Sequence, residues 1–197
     1  ADWITKVTMG SPEVSMSSPE LIENEIKVME ALQLKNFHKP HENFLKYYGS
    51  FHHKESGYWY LFMEKASGVT IGGEDKPVVE LFHYIEKMKS QPQSSRNNAT
   101  KQFAPQLVSA LKQMNNCGVV HRDLTLRNIF LQEVVNAQGG GVRHVIKVAD
   151  FGLATIDDNT LLKRGTALYM PPEVSEHAGM TVKNPNVVDI HSTGVIL

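Results

Sequence analysis

The stretch VVHRDLTLRNIFL, residues 119–131, read together with DFG at 150–152, decides how this chain is understood. His121, Arg122, Asp123 and Asn128 are spaced so that a tight loop after a short strand can aim Asp123 and Asn128 into one cleft. A second short strand can then deliver Asp150 beside them. Transfer of a phosphoryl group asks for little covalent chemistry from a protein. It needs a carboxylate to orient the attacking hydroxyl and oxygen ligands to hold Mg²⁺ on the phosphates. Asp123 suits the first task, and Asn128 and Asp150 suit the second, because hard Mg²⁺ prefers carboxylate and amide oxygens. The competing reading, a polar turn followed by an unrelated glycine turn, has to explain four residues at fixed offsets and a following Asp-Phe-Gly.

Working outward, the chain has 197 residues, 41% hydrophobic and 21% charged, an ordinary globular composition with room for one large domain or two small lobes. A formal net charge of -1 with mixed signs gives no electrostatic case for nucleic acid or an anionic membrane. No apolar run approaches the roughly 20 residues that span a bilayer. The single cysteine, Cys117, excludes an internal disulfide and suits a reducing, intracellular and cytoplasmic setting. The sequence begins in ADWITKVTMG without a Met and stops in the apolar run STGVIL, so a fragment truncated at both ends is expected.

The pattern predicts a strand in DWITKVTM and a helix in LIENEIKVMEALQL opened by Ser18, Pro19 and Glu20. On that helix the apolar face is Leu21, Ile22, Ile26, Met29 and Leu32, with Glu23, Glu25, Lys27 and Glu30 elsewhere. A hairpin of FLKYYGSFHH and GYWYLFMEK follows, then a short helix in VVELFHYIEKMK and a loop in SQPQSSRNN. ATKQFAPQLVSALKQMNNCG reads as a long helix ending at Gly118, with Pro105 kinking it or marking a later start. Short strands GVV, IFLQ and VIKVA come next, interrupted by EVVNAQGGGVRH. Strands with one helix, then helices with small strands, make an α+β chain of two lobes. His38, His41, His52 and His53 cluster in sequence without Cys or acidic partners for a metal. Gly139–Gly141 fit a hairpin loop better than a phosphate cradle, since no helix follows.

At these residues the sequence resembles the eukaryotic protein kinases along its whole length. GTALYMPPEV is similar to the end of a kinase activation segment, and VVDIHSTGVIL to the large helix after it. There Asp189 is expected to brace the catalytic loop and Gly194 to allow close packing. The resemblance implies a partial two-lobed protein-kinase-like fold: a small lobe at 1–63 lacking its Gly-rich loop, a hinge at 64–67, and the start of a large lobe at 68–197 lacking its last helices. It implies ATP and Mg²⁺ as cofactors and a protein as substrate, and names no regulatory partner. Asp123 would be the base, and Asn128 and Asp150 the metal ligands. Lys6 would hold the α- and β-phosphates through an ion pair with Glu25. Met63 would back the adenine slot, Glu64 would offer its carbonyl, Ala66 its backbone groups, and Phe130 the floor. Leu131, Met29, Tyr47 and Phe151 would be packing residues. Glu173 would pair with an arginine beyond Leu197.

Two departures bear on the acceptor. Where serine/threonine kinases carry a Lys two residues after the Asp, this chain has Thr125. Arg127, four residues after the Asp, fits a tyrosine-kinase pattern. RGTALYMPPE, however, is similar to the serine/threonine substrate loop, in which Thr166 would bond near Asp123. Ser/Thr specificity is therefore expected, with Arg127 substituting for the missing lysine. Arg122 would neutralise a phosphate on the activation segment, with Thr160 the preferred site over Thr155. A pseudokinase scaffold, a dual-specificity or tyrosine kinase, and a small-molecule kinase are the alternatives. Ile4, where the family has Ala, and Thr125 keep the pseudokinase open, while Lys6, Asp123, Asn128 and Asp150 speak against it. The fragment alone is expected to be inactive.

Overall fold

In a computed structural model of the chain, residues 3–9, 19–34, 41–71, 76–135, 141–156, 164–176 and 184–197 are described, with backbone only for 3–9, 34 and 175. The first lobe begins with β1 (Trp3–Met9) and α1 (Pro19–Leu34), followed by β2 (Tyr47–His53) and β3 (Tyr58–Glu64). The three strands form one antiparallel sheet in the order β1-β3-β2. Aromatic and β-branched residues suit such a half-covered pleated surface, and the turn at 54–57 closes the hairpin at Gly57, whose φ is 72°. Helix α1 turns Ile22, Glu25, Val28, Met29 and Leu32 inward. Glu25 therefore lies on the buried face, although the apolar periodicity alone left it outside.

The second lobe holds α2 (Leu81–Met88) and α3 (Gln93–Asn116), then β4 (Val119–Val120), β5 (Ile129–Val135), β6 (Val142–Val148) and β7 (Thr155–Ile156). A 3-10 turn at Ala167–Tyr169, α4 (Pro172–Glu176) and α5 (Val187–Ile196) complete it. Two expectations change here. The segment expected as a loop, SQPQSSRNN, is helical from Gln93 onward, because Pro92 (φ −52°) sits at the N-cap and bonds such as Gln93 to Asn97 support the polar first turns. The helix also runs through Pro105. Pro105 and Lys101 are both solvent-exposed, so the Lys101 carbonyl that loses its N–H partner can turn to water. The interrupted strands are likewise longer than expected, since β5 and β6 remain paired as far as Val135 and Val142.

One apolar cluster runs through both lobes, joining Val28 and Leu32 of α1 and Leu61 of β3 to Leu107 and Met114 of α3 and Ile146 of β6. A smaller one packs Val120, Val174 and Val188 with Met170. The lobes share a core, and residues of both line the cleft between them. At Gly194 a Cβ would meet nothing within 4 Å among the described residues, so the close packing expected there is not seen among them.

Candidate active site

The site is built by two small ladders. In β5–β6, Ile129 pairs with Val148, and Ala149 N donates to Asn128 O at 3.0 Å, so Asn128 and Asp150 emerge at the same end. In β4–β7, Val119 pairs with Ile156 and Val120 with Thr155. Loop 121–128 joins one ladder to the other, and so does loop 149–154. The two loops must therefore lie side by side.

Two residues inside these loops adopt positive φ without being glycine, Arg122 at 68° and Asp150 at 61°. Such backbone persists only where neighbours hold it. For Arg122 the holder is Asp189 of α5, 1% exposed, whose Oδ2 accepts from His121 N at 2.7 Å and Oδ1 from Arg122 N at 2.9 Å. Burial pushes the Asp189 carboxyl up from its usual range, and its neighbours His121 and Arg122, through these two N–H groups and the Arg122 charge, work against that. This is the bracing expected of Asp189. His121 is wholly buried: Nδ1 accepts from Asp123 N at 3.3 Å, which makes Nε2 the protonated nitrogen that donates to Ala149 O at 3.0 Å. One imidazole thus links both loops, and its ring packs 4.9 Å from that of Phe151.

Asp123 is fixed at both oxygens. Oδ1 accepts from Thr166 N at 2.8 Å and Thr166 Oγ1 at 2.7 Å, and Oδ2 accepts from Asn128 Nδ2 at 3.0 Å. Asn128 Nδ2 also donates to Asp123 O at 2.8 Å, which leaves the amide oxygen as acceptor. Thr125 is buried, and its Oγ1 and carbonyl both receive Asn128 N, at 3.3 and 3.1 Å. The threonine that looked out of place in the sequence closes the turn that carries Asn128. Arg127 is drawn toward α2: Nη1 lies 3.4 Å from Glu80 Oε2, and the guanidinium stacks 4.0 Å over the Phe82 ring.

A cavity of about 380 Å³ adjoins these groups, lined by Glu25, Met29, Leu45, Met63, Asn128, Phe130, Ala149, Asp150 and Phe151. It brings together five of the residues singled out by sequence: Glu25, Met63, Asn128, Phe130 and Asp150. Ala66 is buried just beyond β3. Lys6 stands opposite Leu61 in the β1–β3 ladder, with its side chain outside the described residues. Thr160 and His38 also lie outside them. His41 contacts Ser109, His52 stacks on Trp59 and His53 contacts Ser56.

Glu64 holds a feature that the sequence reading missed. Its side chain turns inward to Lys147, with Oε2 3.1 Å from Nζ and the two side chains 11% and 6% exposed. Desolvation pushes the Glu64 carboxyl up, but Lys147, the Lys46 N–H and Gln132 together outweigh it and hold the group below its usual range. Lys147 also reaches Phe44 O at 3.5 Å. Asn43 secures the same corner, donating to Gln106 Oε1 at 3.0 Å and Ile146 O at 3.1 Å. Nothing local in VIKVAD separates Lys147 from a solvated strand lysine; only the pairing of strands turns it inward.

Two lobes, a cleft, and a carboxylate fixed beside amide and carboxylate oxygens are the arrangement of the two-lobed kinase class. The chain matches the protein kinase domain family over residues 5–197 and belongs to that family. It is 32% identical over 181 residues to the serine/threonine-protein kinase chk-1 of Caenorhabditis briggsae, covering 88% of this chain and 31% of that protein. It is 30% identical over 191 residues to chk-1 of Caenorhabditis elegans, covering 93% and 32%. With the serine/threonine-protein kinase plk-2 of C. elegans it shares 33% identity over 143 residues, covering 70% and 20%. The chain thus spans about a third or less of the length of these relatives.

Proposed function

We propose that this chain carries the catalytic centre of a protein kinase that moves the γ-phosphoryl group of ATP to Ser or Thr hydroxyls of proteins. The observation that carries the reading is the three-donor clamp on Asp123 from Thr166 and Asn128. A carboxylate so held is an oriented acceptor. Oδ2 bears one donor against two on Oδ1, so Oδ2 has room for the substrate hydroxyl. The hydroxyl proton passes to Asp123 as its oxygen bonds to the γ-phosphorus, the bond to the β,γ-bridging oxygen breaks and ADP leaves. Thr166 on Asp123 brings the substrate loop up to the acceptor position, which favours a short Ser or Thr side chain over a phenol. The printed names of the relatives favour the same acceptor.

The oxygen donors at Asn128 and Asp150 line one cavity and fit a hard divalent cation. When bound, Mg²⁺ would neutralise charge on the phosphates. The same cavity suits ATP, with Met63 and Phe130 against adenine and the backbone of Glu64 and Ala66 at its edge. Lys6 with Glu25 would hold the phosphates. A phosphate at Thr160, neutralised by Arg122, would order the segment before Gly165. We infer an intracellular setting. Among the described residues no helix is long and apolar enough to cross a membrane.

The test is ATP-dependent labelling of Ser, Thr and Tyr peptides by the full-length protein beside Asp123→Asn. Loss of a proton acceptor in the transition state should lower kcat by about 10²- to 10⁴-fold. Equal labelling by the variant would end the catalytic reading, and a Tyr preference would end the Ser/Thr one.

A further inference from the structure

Carboxylates border the place where the phosphoryl group moves. Glu25 and Asp150 line the cavity, and Asp123 is bonded to Asn128 on the same wall. A phosphoryl group in transfer spreads its charge over three equatorial oxygens, and a cation beside them lowers the barrier. Loop 121–128 has two arginines, and neither is placed for this. Arg122 is 6% exposed with Nη1 buried. Arg127 turns to α2, with Nη1 on Glu80 and its guanidinium over Phe82. Thr125, between them, is neutral and closes the Asn128 turn.

The segment lying against this loop does offer a cation. Arg164 is exposed, and its guanidinium makes no hydrogen bond or ion pair among the described residues. Its backbone is anchored at the acceptor position. Thr166 N and Oγ1 both donate to Asp123 Oδ1, at 2.8 and 2.7 Å. Gly165, at φ +110°, runs so close to the loop that a Cβ there would stand 2.3 Å from Arg122 O and 3.5 Å from Asp123 Oδ1. Consecutive Cα atoms are about 3.8 Å apart, so the Arg164 Cα lies within roughly 9 Å of that oxygen. An extended arginine side chain covers most of that distance, and a guanidinium offers paired N–H donors that match phosphate oxygens. No partner among the described residues has to be given up for the contact.

Resting on the kinase reading above, we propose that Arg164 is a catalytic residue whose guanidinium donates to the transferring γ-phosphoryl group, the contact expected of Arg127 from its place after Asp123. Arg164 makes no covalent bond and moves no proton. The hydroxyl oxygen bonds to the γ-phosphorus, its proton goes to Asp123, the bond to the β,γ-bridging oxygen breaks and ADP leaves. The guanidinium stabilises the charge on the equatorial oxygens while this happens.

The test uses the full-length protein and Ser peptides. Arg164→Ala should lower kcat by roughly 10²-fold with the peptide KM nearly unchanged, because the contact is made in the transition state. Arg164→Lys should keep part of the rate, since the charge remains and the paired donors do not. Guanidinium ion, added far below denaturing concentration, should restore part of the rate to Arg164→Ala and leave wild type unchanged. A readout apart from turnover is binding of ADP with aluminium fluoride, a mimic of the planar phosphoryl group. Arg164→Ala should bind that complex about tenfold more weakly and ADP alone as wild type does. An unchanged kcat, or a loss confined to the peptide KM, would overturn the proposal. So would a loss that Thr160→Ala shares and the double variant does not deepen, since Arg164 would then serve a phosphate on its own segment. Should wild type label no peptide at all, the kinase reading itself fails. The aluminium fluoride complex then still decides the proposal, because equal binding by wild type and Arg164→Ala would overturn it.

Discussion

Removing the ammonium of Lys147 should be among the most damaging single changes in this chain. Lys147→Met leaves Glu64 buried with only the Lys46 N–H and Gln132 as partners. At the 3.1 Å separation of the pair, Coulomb attraction is about 5 kcal/mol for an effective dielectric of about 20. Desolvation of both ions cancels much of that in the intact protein, but it stays uncompensated once one partner is gone. The expected loss is about 3–5 kcal/mol. At roughly 2–4 °C per kcal/mol for a domain of this size, Tm should fall by about 6–20 °C. The double change Lys147→Met with Glu64→Gln removes both charges and should recover most of the loss, because a buried ion pair replaced by neutral groups is often nearly neutral in stability.

The pH dependence supplies a second readout. In wild type the folded Glu64 carboxyl lies below its unfolded value, so its contribution is full above the usual glutamate value of about 4.3 and fades as pH falls through the folded value. In Lys147→Met the desolvation is no longer outweighed and the folded value rises. That penalty is present at neutral pH and disappears as pH falls. The gap between the two proteins, followed by thermal unfolding of the full-length protein monitored by circular dichroism, should therefore be widest near neutrality and narrow in acid. A loss under about 1 kcal/mol, a constant gap, or a double variant as weak as the single one would refute the reasoning.

Three further outcomes follow from other contacts. Gly165 has φ +110°, and a Cβ there would sit 2.3 Å from Arg122 O, so Gly165→Ala must push Thr166 off Asp123. Displacement of that order should lower kcat by about 10²-fold in peptide labelling while leaving most of the stability in place. Asp189→Ala strands the buried N–H groups of His121 and Arg122, at about 1–3 kcal/mol each, and should lower the denaturant midpoint accordingly. Thr125→Val removes one of the two acceptors of Asn128 N and keeps the carbonyl, so chemical unfolding should report a loss of about 1 kcal/mol or less.

What the sequence determined by itself was the strands and helices, whose apolar periods are set by the backbone, the spacing of Asp123, Asn128 and Asp150, and, through the kinase resemblance, the partial two-lobed fold. The helix start at Gln93 escaped it because polar residues near Pro92 read as a loop until the rest of α3 continues them. The apolar period of α1 also left Glu25 on the surface, and only the kinase resemblance placed it in the site. A charged residue looks like surface until the cavity between the lobes gives it somewhere buried to point. Tertiary structure alone decided the partners of Lys147 and Arg127. Lys147 is a strand lysine until β6 pairs with β5 and packs under Glu64, and Arg127 is a loop arginine until α2 brings Glu80 and Phe82 beneath it. Thr125, odd as a substitute for lysine, becomes intelligible only as the residue that closes the Asn128 turn. The physical reason is common to all of them. Backbone periodicity is encoded within a few residues, whereas the counter-charge or hydrogen-bond partner that fixes a polar side chain is chosen by what the fold brings alongside it.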